Sequence, residues 1–500
     1  MKTKSLSYRP WLALALACAA IWFLNTQLAY QPESTVNWAC CAMVALWGIG
    51  ALCVRLSKHW QPRYATWLIF AGGFCVCAIF MLKLPYLFSY HDLADYPAEL
   101  SQQQYLNGHL GYIAYIVNTG SLPFGVNPMV EEFSIAYNPP LYHIVQACFV
   151  RLNLLLGIPR EVFVENMQVV TLFIAGGCML VTIAILRQLA LNERGMRAGA
   201  LLFCFQPMLF LFGSTLNNDL LSVLFVLLCI LFALRWLELR RMRDIVGVAL
   251  SLGAGMATKL SSAMLAPALA IVFAVCFFQS LPEWKKYVKQ YAVFLLVSVP
   301  IGTAWSIYQA VAHQMPLNYV RLPSEVINVS RYPLTQRLGP PDWYAVRSLF
   351  CTGIRKTEHN VWMQTLKTGV FDELILFEDG TAMWYVSYVL LVMFAVLLLI
   401  SLALFIRMLV KRQKGLPWMG KLLLTGYGAT LIASYIQFCI QYPYISSSSF
   451  RYILPVLALC AVAMGCYRSE TSNRRSLWAE AYTGLFAIVC LVVYSVYFFA

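Results

Sequence analysis

Apolar runs of about 20 residues recur along the whole chain, and this constrains its fold more than any other feature. A run of that length matches the roughly 30 Å hydrocarbon thickness of a bilayer when wound as a helix. They cover about 11–30, 36–54, 64–84, 168–187, 198–216, 219–234, 245–258, 261–279, 290–308, 384–406, 422–440, 450–466 and 478–498. The sequence therefore predicts an all-α polytopic membrane protein with about 13 transmembrane helices. Helices suit lipid because each satisfies its own backbone hydrogen bonds. The alternating ten-residue segments of a β-barrel are not evident. Composition agrees: 60% of the 500 residues are hydrophobic and 12% charged, with mean hydropathy +0.68. These values exclude an ordinary soluble enzyme and a disordered chain.

The formal net charge of +14 reflects topology rather than a nucleic-acid surface. About two-thirds of the Lys and Arg residues fall in clusters between runs, beginning at Lys2/Lys4/Arg9, Arg55/Lys58/Arg63 and Arg187/Arg194/Arg197. The series continues with Arg235–Arg243, Lys285/Lys286/Lys289, Arg407–Lys421 and Arg468/Arg474/Arg475. Every second loop carries one, so the N-terminus reads as cytoplasmic and the C-terminus as external. The run that follows Lys2 and Lys4 continues past Ala17–Ala20 and reads as a retained helix rather than a signal peptide. Nearly all 16 cysteines sit inside apolar runs, which implies packing rather than a disulfide framework.

The apolar stretch 141–157 interrupts this alternation. It contains His143, Gln146, Arg151 and Asn153. If it crossed the membrane, the later basic clusters would face outside. It is expected as a helix at the outer interface. Two long outer loops then remain, at about 85–167 and 309–383. The 85–139 part of the first has no Lys or Arg but holds Asp92, Asp95, Glu99, Glu131 and Glu132.

Polar residues gather on the outer side of this topology, as converging groups at the mouth of a helix bundle do around a binding site. The segments are Tyr90-His91-Asp92, the stretch from Asn107 to Tyr112 around His109, Tyr137-Asn138-Pro139-Pro140-Leu141-Tyr142-His143, Asn217-Asn218-Asp219, Thr258-Lys259, and Arg451-Tyr452-Ile453-Leu454-Pro455. Asp92, just beyond the third run, can accept a proton from a nucleophile; Asp95 is the alternative base. Arg451 and Lys259 suit a phosphate, Arg through a bidentate fork and Lys as a point charge. Asp219 also has the sequence context of a helix N-cap, and Lys259 that of a side chain reaching toward headgroups. The three histidines lack a recognised zinc spacing.

Order and sidedness of these motifs resemble the GT-C superfamily of membrane glycosyltransferases. The similarity is greatest to the polyprenyl-phosphate-dependent branch, which includes protein O-mannosyltransferases and lipid A aminoarabinose transferases (glycosyltransferase family 39-like). It runs over residues 64–466, leaving two extra helices in 1–63 and a closing helix in 467–500. The resemblance implies Asp92 as the catalytic base, with Lys259, Arg451 and Tyr452 on the donor phosphate. His91, Asp95, His109, Asn138, Tyr142, His143, Asn218 and Asp219 are implied in substrate or acceptor binding. Two positions depart from the family pattern: Leu93 follows Asp92 in place of a second acid, and Asn138 stands where relatives carry a cation.

The implied reaction is inverting transfer of a hexose or pentose from a polyprenyl-phosphate donor to a lipid, glycan or protein acceptor. It would occur at the extracytoplasmic face of a bacterial inner membrane, as part of cell-envelope assembly. No organic cofactor or His-bound metal is implied; a divalent cation near Asp92 and Asp219 is compatible with it. The partners expected are the lipid-linked sugar and membrane lipids, not nucleic acid. The competing reading is a secondary transporter or lipid-linked-sugar flippase. Transporters usually carry ionisable residues at the bilayer midplane on broken helices in repeated halves. Here the acids lie on the rim, and no repeat is visible.

Overall fold

The computed structural model describes residues 8–87, 108–130, 134–317, 319–323, 325–351, 358–413, 415–471 and 474–499. His91, Asp92 and Asp95 lie outside these residues. The described chain is almost wholly helical, with one isolated antiparallel bridge between Asn328 and Tyr444. The helices are, in order, α1 (Arg9–Leu28), α2 (Glu33–Leu56), α3 (Arg63–Lys83), α4 (Gly108–Thr119), α5 (Leu141–Leu155), α6 (Arg160–Asn166), α7 (Gln168–Gln188), α8 (Glu193–Cys204), α9 (Pro207–Gly213) and α10 (Asp219–Leu239). There follow α11 (Met242–Met256), α12 (Ala266–Gln279), α13 (Trp284–His313), α14 (Leu334–Arg337), α15 (Trp343–Arg347), α16 (Val361–Phe371), α17 (Ala382–Val410), α18 (Trp418–Gln441), α19 (Val456–Glu470) and α20 (Arg474–Phe499).

Each of the apolar runs read from the sequence coincides with a helix or a pair of consecutive helical segments. The number that reach membrane length differs from the 13 expected. Among the described residues ten helical stretches are long and apolar enough to cross, or eleven if the α8–α9 pair, bent by 54°, is one span. The other two runs form α11 and α19, of 15 residues each. Fifteen residues rise only about 22 Å. α5 is equally short.

The chain divides into two compact units. The first comprises Met1–Cys53, Phe74–Gln188 and Phe212–Val320. Within it α1 packs on α7, α7 on α10, α10 on α11, and α11 on α13. Gly176 of α7 permits the first approach, because a Cβ there would lie 2.5 Å from Leu14 Cδ1. α10 and α11 form a hairpin turned at Arg240, whose φ of 51° is left-handed. Arg235 Nε and Asp244 Oδ1, 3.3 Å apart, pin its turn end. At the other end Asn218 Nδ2 donates to the Thr258 carbonyl at 3.0 Å. α11 with its following turn thus travels as far as α10 does between Arg235 and Asn218.

The second unit comprises Val54–Gly73, Leu189–Leu211 and Arg321–Ala500. α8 lies along α19, and Gly195 makes the crossing close: its Cβ would stand 2.4 Å from the Gly465 carbonyl oxygen. Arg197 and Arg468 both bind Glu480, at 2.6 and 2.8 Å, joining α8 and α19 to α20. α14, α15 and α16 lie in the long stretch between α13 and α17, and α16 packs on α17 and on the 3₁₀ turns before α19.

Candidate functional site

In the first unit the structure brings together four of the sequence segments that carry the predicted site residues. The α10–α11 hairpin places Asp219, the first residue of α10, beside Lys259, three residues past the end of α11. Lys259 Nζ donates to Asp219 Oδ1. The carboxylate therefore does not cap α10. The turn around it is closed by amides instead: Asp219 N–H donates to Asn217 Oδ1 at 3.1 Å, while the Asn218 amide holds the Thr258 carbonyl. The hydroxyls of Ser222 and Ser262 meet at 2.9 Å one turn deeper. Gly255 lets that turn close, since a Cβ there would press on Ser262 Oγ at 2.9 Å. The Asp219 and Lys259 side chains are 7% and 21% exposed: the acid is enclosed, and the lysine is partly exposed.

The Pro-Pro-Leu-Tyr segment joins this pair through the backbone, as Leu141 N–H donates to the Ala257 carbonyl at 3.1 Å. α5 starts there, carrying Tyr142 and His143 inward. His143 is fully buried; its Nε2 lies 3.0 Å from His109 Nδ1 on α4. Its ring stacks on Tyr112 with centroids 4.1 Å apart. Gln146 Nε2 donates to the Tyr142 hydroxyl at 3.0 Å. Burial pushes the His143 imidazole well below its ordinary pKa, and the nearby His109 adds to this. The Tyr112 and Tyr142 hydroxyls are pushed up by the same loss of water. The His143 imidazole is thus held neutral in an enclosed core between α4 and α5. Asn138 is half-buried at the turn before α5, its backbone N–H bonded to the Ile135 carbonyl at 2.9 Å.

Sequence reasoning did not single out the clamp at the C-terminal end of α3. Glu165 Oε2 accepts from Tyr86 N–H at 3.0 Å and from Gln168 Nε2 at 2.8 Å. Gln168 Nε2 also reaches the Leu84 carbonyl at 3.1 Å. This fixes the backbone where the chain leaves α3 toward Asp92. Its only sequence signal was an acid and an amide three residues apart, across the junction of α6 and α7.

In the second unit Arg451 lies in the 3₁₀ turn Phe450–Ile453 and is buried. Its Nη2 donates to the Tyr452 hydroxyl at 3.1 Å, and the Tyr452 ring packs on Phe438 at 5.1 Å. The turn is held by Phe450 N–H donating to Thr368 Oγ1 at 2.9 Å. Also in this unit are Arg337 and Lys367, buried cations of the second outer loop that sequence reasoning could not choose among. Lys367 Nζ donates to the Ala345 carbonyl at 2.5 Å.

Among the described residues no group of three or more His, Cys, Asp or Glu side chains is placed to hold a metal ion. The described neighbours of Asp219 do not favour a divalent cation either, because the Lys259 ammonium already stands on its carboxylate. All 16 cysteines are free thiols. Cys351, between α15 and α16, is buried, its Sγ 2.9 Å from Gln364 Oε1.

Residues 150–305 match the model of a family described as dolichyl-phosphate-mannose-protein mannosyltransferase. The matched stretch includes Asp219 and Lys259. The match agrees with the GT-C resemblance carried by the motifs. No curated protein sequence matches the chain. Two of the solved structures that resemble it do so at low identity. One is ArnT from Cupriavidus metallidurans bound to undecaprenyl phosphate: 13% identity, TM-score 0.47, covering 85% of this chain and 63% of that one. The other is the archaeal oligosaccharyltransferase AglB from Archaeoglobus fulgidus in complex with an inhibitory peptide and a dolichol-phosphate: 12% identity, TM-score 0.44, covering 86% and 55%. This chain thus spans less than two-thirds of the length of either.

Proposed function

We propose that this chain, similar over residues 150–305 to the mannosyltransferase family, is a membrane glycosyltransferase with a polyprenyl-phosphate-linked sugar as donor. The observation that carries the reading is that match together with the Asp219–Lys259 pair inside it. A partly exposed lysine held at the end of a transmembrane hairpin suits a lipid phosphate. Lys259, Arg451 and Tyr452 are assigned to the donor phosphate. Asp92 is assigned as the base, with Asp95 as the alternative. In the proposed step the base takes the proton of an acceptor hydroxyl. The oxygen attacks the anomeric carbon, the bond from that carbon to the phosphate oxygen breaks, and polyprenyl phosphate leaves with the electron pair. Attack opposite the leaving group inverts the centre.

The enclosed His109–His143 pair and Tyr142 act on this reading by holding the 137–143 turn against the Lys259 loop, while Asn138 and Asn218 shape the acceptor side. The site is assigned to the extracytoplasmic face by the basic clusters of alternate loops, and the membrane to a bacterial inner membrane. Hexose and pentose donors both fit the reading. The test is Asp92→Asn in the full chain, with a polyprenyl-phospho-sugar measured in membranes. Loss of transfer and accumulation of the donor, with the variant inserted at normal level, is the expected result. Transfer at the parental rate would remove Asp92 from the reaction.

A further inference from the structure

In the first unit α1, α5 and α7 border a groove of about 460 Å³. Ala15, Ala19 and Trp22 line it from α1, Cys148 and Leu152 from α5, and Phe173 from α7. All eleven lining side chains are carbon and sulfur, apart from the indole nitrogen of Trp22. That nitrogen is satisfied, donating to Asn153 Oδ1 at 3.0 Å. The groove is open along one side, where Ala15, Ala19, Cys148 and Leu152 are exposed. α1 and α7 both belong to stretches long and apolar enough to cross a membrane, so the opening faces bilayer hydrocarbon.

From Ala15 to Trp22 the groove follows α1 for about 10 Å, within the roughly 15 Å of one leaflet. Beyond Trp22 the contacts turn polar. Asn25 Nδ2 donates to Asn166 Oδ1 at 2.9 Å, and Asn166 Nδ2 donates to Thr26 Oγ1 and to Asn153 Oδ1 at 3.0 Å each. An apolar groove followed by amides repeats the order of a lipid, chain then headgroup. Arg151, two residues before Asn153 on α5, is exposed, its Nη2 on the Val117 carbonyl at 3.0 Å. An exposed guanidinium there suits a lipid phosphate. Volume decides among apolar occupants. At about 30 Å³ for a group the size of a water or a methylene, the groove holds roughly 15 of them, the length of one acyl chain. A transmembrane helix, about 10 Å across, is too large, and an undecaprenyl chain is several times too long. A chain lying between three helices gains dispersion contacts that lipid against a single helix does not.

We infer that the groove between α1, α5 and α7 binds one acyl chain of a membrane phospholipid, as a site distinct from the lipid that surrounds the protein. The site stands apart from the proposed function, because α1 lies outside residues 150–305, the stretch that matches the family model. α5 forms one wall and begins with Leu141 N–H on the Ala257 carbonyl, so a bound chain braces the helix that carries Tyr142 and His143. The test uses the full chain, delipidated in detergent and mixed one to one with phosphatidylglycerol that carries a diazirine in one palmitoyl chain. After irradiation the labelled peptides are read by mass spectrometry.

Label on the groove residues of α1 and α5 should exceed label on α2 at least fivefold. The comparison is apt because Leu46 and Ile49 of α2 are exposed, with open space around Gly48 and Gly50. Ala19→Phe, which fills the groove from α1, should lower groove labelling at least fivefold and leave α2 labelling and thermal melting unchanged. Equal labelling of α2 and the groove, or parental labelling in a normally melting variant, would overturn the inference. If Ala19→Phe does not fold, Cys148→Trp on the exposed face of α5 decides by the same criterion. Unlabelled phosphatidylglycerol should displace the probe. Displacement as strong by diacylglycerol would overturn the phospholipid assignment, and stronger displacement by undecaprenyl phosphate would overturn it in favour of the isoprenoid.

Discussion

Removal of either partner of the Asp219–Lys259 pair separates a structural contact from a catalytic one. The carboxylate is 7% exposed and the ammonium 21%, between the limits of a surface pair worth under about 1 kcal/mol and a buried pair whose breaking costs about 3–5 kcal/mol. Lys259→Met strands the better-buried charge and should cost about 3 kcal/mol of stability. Asp219→Asn leaves the less buried of the two charges and should cost about 1.5 kcal/mol. The double variant removes both charges, so it should cost about 2.5 kcal/mol, a coupling of about 2 kcal/mol. Denaturant titration in mixed micelles measures all three. Costs additive to within about 0.5 kcal/mol would refute the enclosed ion pair. The same double variant, folded, should transfer little sugar, because the phosphate has lost one of the two cations assigned to it. Recovery of transfer in it would show that Lys259 serves only Asp219.

Two further outcomes follow from the geometry. His143 is held neutral, with a folded pKa below its unfolded value, so below about pH 6.5 the unfolded chain binds the extra proton and stability falls as pH falls. Between that point and the depressed folded pKa the loss approaches about 1.4 kcal/mol per pH unit. His143→Gln should flatten the slope in acid unfolding curves, and an unchanged slope would place the acid sensitivity elsewhere. The second outcome concerns α5, which is expected not to cross the membrane. A cysteine placed at the exposed Lys289, with the exposed Cys41, Cys53 and Cys148 replaced, should react with an impermeant thiol reagent only from the cytoplasmic side. Labelling from outside would mean that α5 spans and that every later loop is inverted.

Helix positions were legible in the sequence because each apolar run must satisfy its backbone within itself in lipid, a local requirement. Charge alternation and short polar motifs were local too, so the segments around His109, Tyr142, Asp219 and Lys259 stood out before any packing was known. Which side chain meets which was not local. Lys259 could reach headgroups or a carboxylate, and the hairpin of α10 on α11 decided for Asp219, 40 residues away. His109 and His143 could face a substrate or each other, and the crossing of α4 on α5 closed them together. Arg337 looked like any loop arginine until α14, tied to α16 on both flanks, carried it against the end of α18. Period and charge are properties of a stretch of chain, whereas burial and partnership arise only when distant stretches exclude water from one another. Tertiary structure alone therefore decided which of the polar groups are enclosed, and beside what.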